Sequence, residues 1–125
     1  MRLLLDTHAL LWWLSEHERL STTTYDAIAG GEYEIFVSHA SIWEITIKAG
    51  KRKLTPPESI VERCAGENFA LLPIDLRHIQ ETALLPNLHG DPFDRIMVAQ
   101  ARCEDMVLVT NDRAITQYDV TIMPA

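Results

Sequence analysis

The stretch Asp91–Asp112, DPFDRIMVAQARCEDMVLVTND, decides the fold because it predicts a helix that leads directly into a buried strand. Asp91 suits the N-cap, Pro92 suits the first helical position, and Asp94 lies where the acid of a capping box would lie. Met106–Val109 is a short continuous apolar run, which is typical of a parallel strand covered on both faces. The last aspartate of the stretch follows this strand. Ligands of open α/β sheets bind at the carboxyl ends of strands, so we expect a site there.

Short apolar runs and helical periods alternate along the rest of the chain. Strands are predicted at Arg2–Leu5, Glu34–Val37, Phe69–Ile74, Met106–Val109 and Val120–Met123. Helices are predicted at Thr7–Leu14, Thr22–Ala29, His39–Ala49, Pro57–Ala65, Asp75–Leu85 and from Pro92 onward, with Thr7, Ser21, Ser38 and Asp75 as caps. This alternation predicts an α/β fold, a three-layer α/β/α sandwich with a parallel sheet of four to five strands. We expect one domain over residues 1–125, because the chain shows no repeat or linker.

Composition restricts the class of protein. The net charge of −7 argues, on bulk electrostatics, against a nucleic-acid binder. It leaves open an enzyme whose acidic site holds divalent cations, because bound ions invert the local charge. Cys64 and Cys103 lie far apart, which favours a reducing compartment over a disulfide framework or a zinc site. The start MRLLLD is too quickly charged for a signal peptide, and no apolar run approaches the roughly 20 residues of a membrane helix. We expect a cytoplasmic protein without membrane contact.

Three aspartates lie at the ends of predicted elements. Asp6 ends the first strand, Asp94 starts a helix and Asp112 ends the fourth strand, so all three face one crevice if strands one and four are neighbours. Clustered carboxylates raise each other's pKa, and oxygen ligands of this kind suit Mg²⁺ or Mn²⁺. Such an ion would activate water for attack on a phosphodiester. The alternative for each aspartate is a local role as a turn residue or cap. For His8 and His89, packing or capping is favoured over metal ligation.

The region around the third helix leaves two questions open. Glu44 lies just outside an apolar helix face that includes Trp43, and it precedes Lys48 by four residues. It is either half of a solvated helical ion pair or part of the site. The basic run Lys51–Lys53 is either solvated or in contact with phosphates. The first helix is apolar nearly all round, which predicts either deep core or a dimer or partner contact.

Four stretches in order resemble the PIN-domain ribonucleases, and more narrowly the VapC toxins of bacterial toxin–antitoxin pairs. They are LLLDTHALLWW, SIWEITIK, DPFDRIMVAQA and LVTND, and together they extend over essentially the whole chain. The resemblance implies a parallel α/β/α sandwich and a Mg²⁺-dependent endoribonuclease that Mn²⁺ also supports. It further implies an RNA substrate, a homodimer and a cognate VapB-type antitoxin that wraps the toxin and obstructs its site.

The resemblance also implies roles for individual residues. The four acids of the family match Asp6, Glu44, Asp94 and Asp112, which are therefore expected to be catalytic and to hold the metal. Asp6 and Asp94 would be direct ligands, while the other two would bind directly or through water. Thr7 and Thr110 match hydroxyl positions near the metal. Two alternatives from other classes are a catalytically silent PIN-like module that binds protein or RNA, and a receiver-type phosphoacceptor domain, whose adjacent acidic pair after the first strand is missing.

Overall fold

The computed structural model describes residues 1–125 and contains one five-stranded parallel sheet with the strand order β3-β2-β1-β4-β5. The strands are β1 (Arg2–Leu5), β2 (Glu34–Ser38), β3 (Ala70–Leu72), β4 (Val107–Val109) and β5 (Ile122–Met123). The predicted α/β fold with a parallel sheet is thereby confirmed. Because β1 and β4 are neighbours, the side chains that follow these two strands lie at the same edge of the sheet.

Helices cover both faces of this sheet. They are α1 (Thr7–Ser15), α2 (Thr22–Ala29), α3 (His39–Gly50), α4 (Ile60–Gly66), α5 (Leu76–Thr82) and α6 (Pro92–Glu104). Successive side chains of a strand point to opposite faces, so β1 supplies both cores. Leu3 and Leu5 pack in the core beneath α1, α2 and α4, whereas Leu4 packs with Met97 and Val98 of α6. No helix combines the length and the apolar character that a crossing of the bilayer requires.

Several elements are shorter than the sequence predicts, and local geometry explains where they end. The predicted helix from Pro57 begins only at Ile60, because Ser59 has a left-handed backbone (φ 54°) that cannot continue a helix. The helix predicted to reach Leu85 ends at Thr82, since the residue before Pro86 is disfavoured in helical conformation. The third strand is shorter than 69–74 because its partner β2 ends where α3 begins, so the ladder stops with it.

Two predicted details near the site are wrong. Asp6, and not Thr7, caps α1, because the Asp6 carboxylate accepts a hydrogen bond from the amide of Ala9 at 2.8 Å. The predicted apolar face of α3 is also misplaced, since Trp43 is 59% exposed and Glu44 is only 4% exposed. The reason is that α3 contacts both α1 and α6, and the start of α1 provides a hydroxyl donor for the Glu44 carboxylate.

Candidate active site

The four acids singled out from the sequence lie at the carboxyl edge of the sheet. Asp6 directly follows β1, and Asp112 lies three residues after β4. Asp94 is in the first turn of α6, whose N-cap is Asp91 as predicted. Glu44 is in the second turn of α3, which begins directly after β2. Parallel strands bring these element ends together, so acids far apart in the sequence share one crevice.

Asp6 is a buried carboxylate with both oxygens in contact with the chain. Its Oδ1 accepts the Ala9 amide at 2.8 Å, and its Oδ2 accepts the hydroxyl of Thr110 at 2.5 Å. Only 4% of the residue is exposed. Burial raises the pKa of Asp6 above its ordinary value, although the two hydrogen bonds oppose this effect, and the negative charge of Asp112 raises it further. The charge of His8 also lowers the pKa of Asp6, so burial outweighs every favourable contact that the chain makes with this carboxylate.

Thr110 connects Asp6 with Asp112. While the Thr110 hydroxyl donates to Asp6, its oxygen accepts the backbone amide of Asp112 at 3.0 Å. Asp112 in turn accepts the amide of Ala114 through Oδ1 at 2.9 Å, which is the local turn role that the sequence left open. Its other oxygen, Oδ2, lies 3.9 Å from Nε2 of His89. Asp112 thus forms a turn and also faces the crevice.

Asp94 is a second acid of the site whose pKa is raised. Burial raises its pKa to about 6, a hydrogen bond with His89 opposes the rise, and the charges of Asp91, Glu44 and Asp112 add to it. Nε2 of His89 lies 2.8 Å from Oδ2 of Asp94. The negative charges that act on Asp94 show that the Glu44 carboxylate belongs to the same electrostatic cluster.

For His89 the sequence favoured packing or capping over metal ligation, and in the fold its ring contacts Asp94 and faces Asp112, so it lies beside the acids. His8, in contrast, stacks on Trp12 with ring centroids 6.1 Å apart, which is the packing role that was favoured.

Glu44 combines the two interpretations left open by the sequence. Its Oε2 lies 2.7 Å from Nζ of Lys48, so the predicted helical pair is present. Its Oε1 accepts the hydroxyl of Thr7 at 2.6 Å, and the residue is buried next to the other acids. The hydrogen bond with Glu44 raises the pKa of Lys48, so the ammonium group remains charged at neutral pH.

The donor set of this crevice fits a hard divalent cation. Ligand atoms of His89, Asp94 and Asp112 lie within 4.8 Å of one another. Asp6 and Glu44 add two buried carboxylates, and the raised pKa values of Asp6 and Asp94 show that the charges of the cluster are poorly compensated. Carboxylate oxygens of this kind suit Mg²⁺ or Mn²⁺. A cation would remove the repulsion that the chain alone leaves in place.

A second group of one histidine and two carboxylates lies elsewhere, between the start of α5 and the end of α6. Asp75, His78 and Glu104 also place their ligand atoms within 4.8 Å of one another. Here His78 closes a capping box, since its Nδ1 accepts the Asp75 amide at 3.0 Å while Asp75 accepts the His78 amide. Nε2 of His78 lies 3.1 Å from Glu104, and Arg77 pairs with both carboxylates.

Comparison with known proteins identifies the relatives of this chain. The family model of the PIN domain matches residues 3–120. The chain is 30% identical over 119 residues to ribonuclease VapC22 of Mycobacterium tuberculosis, an alignment that includes 92% of this chain and 90% of that protein.

Solved structures share the fold at lower sequence identity. VapBC2 of Rickettsia felis, bound to a DNA fragment from its promoter, superposes with a TM-score of 0.74 at 15% identity, over 98% of both chains. DNA-bound VapBC of Salmonella typhimurium superposes with a TM-score of 0.70 at 16% identity, over 98% of this chain and 97% of that one. These likenesses show that the arrangement of strands and helices is the same.

Proposed function

The chain belongs to the VapC ribonucleases of the PIN-domain family, and we propose that it is a metal-dependent endoribonuclease that acts as the toxin of a VapBC-type toxin–antitoxin pair. The observation that carries this proposal is the convergence of four carboxylates in one crevice, two of them with raised pKa values. We propose Asp6, Glu44, Asp94 and Asp112 as the catalytic and metal-binding residues, with Mg²⁺ as the cofactor and Mn²⁺ as a functional substitute.

The side chains of the site have different proposed roles in metal binding and in positioning. Asp6 and Asp94 would hold the ion directly, and Glu44 and Asp112 would complete the donor set directly or through water. When bound, the ion supplies polarisation of a phosphoryl oxygen and a lower pKa for the attacking water. Thr110 keeps Asp6 and the Asp112 turn at a constant separation through its two hydrogen bonds. The partial positive charge at the start of α6 lies beside Asp94, although the amides of Phe93 and Asp94 are already bonded to the Asp91 carboxylate.

Replacement of one ligand tests the catalytic assignment. Asp6→Asn should reduce the rate of cleavage of single-stranded RNA in Mg²⁺ roughly 10³-fold or more, because several kcal/mol of transition-state stabilisation are lost. The metal-free variant should be at least as stable as the wild type, because one repelling charge is removed. The matched control is Asp119→Asn, since Asp119 is fully exposed and its carboxylate lies 3.8 Å from Arg102 on another surface. Cleavage should be measured as end-mapped products from a defined RNA.

The result also separates the proposal from its alternative. Cleavage by Asp6→Asn at the wild-type rate would contradict the site assignment. A wild-type protein that binds RNA or antitoxin but cleaves nothing in Mg²⁺ or Mn²⁺ would favour the catalytically silent PIN-like module. The poorly compensated acids count against that module, because a binding protein gains nothing from a buried carboxylate cluster without a cation.

We propose a VapB-type antitoxin and a second copy of the chain as protein partners. The support is a set of exposed large apolar side chains on α3, on α5 and in the loop that follows it: Trp43, Leu76, Ile79, Leu84 and Leu88. Trp43 and Ile79 also line an apolar groove of about 470 Å³. Apolar surface of this extent is usually covered by a partner. Light scattering of the toxin alone should give twice the chain mass of 14.2 kDa, and a single chain mass would contradict the homodimer.

The remaining parts of the proposal concern organisation and location. We propose that residues 1–125 act as one domain and that the protein works in the cytoplasm. Both cysteines are free thiols, which agrees with a reducing compartment.

A further inference from the structure

All three lysines of the chain line a single pocket beside the acid cluster. Lys48, Lys51 and Lys53 surround a cavity of about 230 Å³ whose wall also includes the acids Glu44 and Asp91. The protein has a net charge of −7, so this concentration of positive charge is an exception on its surface. Glu44 belongs to both the pocket and the acid cluster, and the two sites are therefore adjacent.

The end of α3 brings the lysines together. The amide of Lys53 donates to the carbonyl of Lys48 at 2.9 Å, and the amide of Arg52 donates to that of Ala49 at 3.0 Å. These bonds form the Schellman arrangement that closes a helix. Arg52 takes the left-handed position with φ 56°, which residues other than glycine rarely occupy. The chain turns back at this point, so Lys53 lines the same pocket as the last turn of the helix.

Two of these lysines have no partner of opposite charge within the protein. Lys48 is bonded to Glu44, whereas Lys51 and Lys53 are exposed and form no ion pair. Most arginines of the chain are instead bonded to their own protein: Arg2, Arg19, Arg63, Arg77, Arg95 and Arg102. A favourable interaction with the helix C-terminus stabilises cations at this position, but it does not require them to line one pocket next to the acids.

We propose that Lys51 and Lys53 bind a backbone phosphate of the RNA substrate next to the phosphate that is cleaved. This inference rests on the proposed ribonuclease function and adds the residues that hold the strand. A polyanion that approaches a crevice with four carboxylates is repelled, and a cationic pocket at its border reduces that repulsion. Lysine is suited to this role, because its compact ammonium group binds a phosphate oxygen as a point charge.

RNA binding without catalysis provides the direct test. The affinity of the wild type and of Lys51→Ala/Lys53→Ala for a fluorescent single-stranded RNA is measured by anisotropy in EDTA at several salt concentrations. Each phosphate contact on a single strand contributes about 0.7 to the slope of log affinity against log salt, so the double variant, which loses one phosphate contact, should lose roughly 0.7. Lys51→Arg/Lys53→Arg should retain the wild-type slope.

The matched control removes two positive charges at a distance from the pocket. Arg19→Ala/Arg77→Ala changes the net charge by the same amount, and both exposed side chains pair with acids outside the crevice, Arg19 with Glu16 and Arg77 with Glu104. Its slope should equal that of the wild type. In steady-state cleavage, the lysine variant should raise KM roughly tenfold at low salt with little change in kcat, because the pocket binds substrate and transition state alike.

The outcomes distinguish this inference from the proposed function. A slope and KM equal to those of the wild type in a folded lysine variant would overturn it, as would equal losses in the arginine control. Loss of antitoxin binding with unchanged RNA binding would assign the lysines to a protein interface and overturn it too. A wild type that binds RNA with the expected slope but cleaves none would contradict the ribonuclease function and leave the phosphate pocket supported.

Discussion

The crevice of His89, Asp94 and Asp112 and the cluster of Asp75, His78 and Glu104 contain the same kinds of side chain at the same spacing, yet they differ in charge balance. In the second cluster, the hydrogen bond with His78, assisted by Arg77, lowers the pKa of Glu104. In the crevice, burial and neighbouring acids raise the pKa of Asp94 to about 6. The chain itself compensates the charge of Glu104, whereas it holds Asp94 in a site that disfavours the charged carboxylate.

This difference shows that ligand spacing alone does not identify a metal site. In the second cluster, both ring nitrogens of His78 are occupied, one by the Asp75 amide and one by Glu104. A metal there would have to displace a capping box and an arginine pair. In the crevice, one oxygen of Asp112 has no closer partner than the His89 ring at 3.9 Å. The useful criterion is therefore how well the protein satisfies its own carboxylates.

The largest expected difference between the two clusters is in the rate of RNA cleavage. Asp94→Asn is expected to reduce RNA cleavage in Mg²⁺ by roughly 10³-fold, because it removes a proposed ligand. Glu104→Gln should leave the rate per folded molecule unchanged, since its carboxylate only bonds His78 and Arg77. Initial rates on one RNA, normalised to the folded fraction from circular dichroism, decide the outcome. Similar losses in both variants would show that the contrast between the clusters has no functional meaning.

The free energy of unfolding, in contrast to catalysis, should depend more on the second cluster than on the crevice. His78→Ala is expected to cost about 3 kcal/mol in the free energy of unfolding, because it breaks a capping box and vacates a buried site. His89→Ala should cost less than about 1 kcal/mol in the metal-free protein, since its ring is partly exposed and bonded mainly to Asp94. Urea denaturation in EDTA measures both. Equal costs would indicate that His89 has a structural role like that of His78.

The smallest effect concerns pH. Because the pKa of Asp94 is raised, the folded state binds more protons than the unfolded state between about pH 4 and pH 6, and its stability falls as the pH rises through that window. In Asp94→Asn this contribution is absent. The shift corresponds to roughly 2–3 kcal/mol, and solvent screening of the partly exposed Asp94 reduces the expected stability gain of the variant over the metal-free wild type to about 1 kcal/mol between roughly pH 4 and pH 7. Denaturation at both pH values measures the difference, and a constant difference would contradict the raised pKa.

Local signals in the sequence were sufficient to predict the fold and the ends of the strands and helices at which the acidic residues of the site lie. Strand–helix alternation predicts the parallel sheet, and the apolar runs before Asp6 and Asp112 locate the carboxyl edge. Asp91 and Pro92 correctly predict the start of α6. These features are readable because they depend on neighbours within one turn or one strand.

Features that depend on distant contacts could not be predicted. The helical period favoured burial of Trp43 over Glu44, but the position of α3 between α1 and α6 reverses this order. The contact of His89 with Asp94 requires the path of the loop before α6, which no period or propensity encodes. Thr110 and Asp6 are separated by 104 positions, so their hydrogen bond exists only in the folded sheet.

The two hydrogen bonds to the Asp6 carboxylate fix its orientation before a metal ion could bind. The Ala9 amide and the Thr110 hydroxyl each hold one oxygen, so the carboxylate plane cannot rotate. Each oxygen keeps a second lone pair, and the direction of that lone pair is fixed by the Ala9 amide of the first helix and by the Thr110 side chain that follows the fourth strand. An ion held by Asp6, as proposed, would therefore lose little affinity to the ordering of this side chain, because the folded chain already fixes the orientation of the carboxylate.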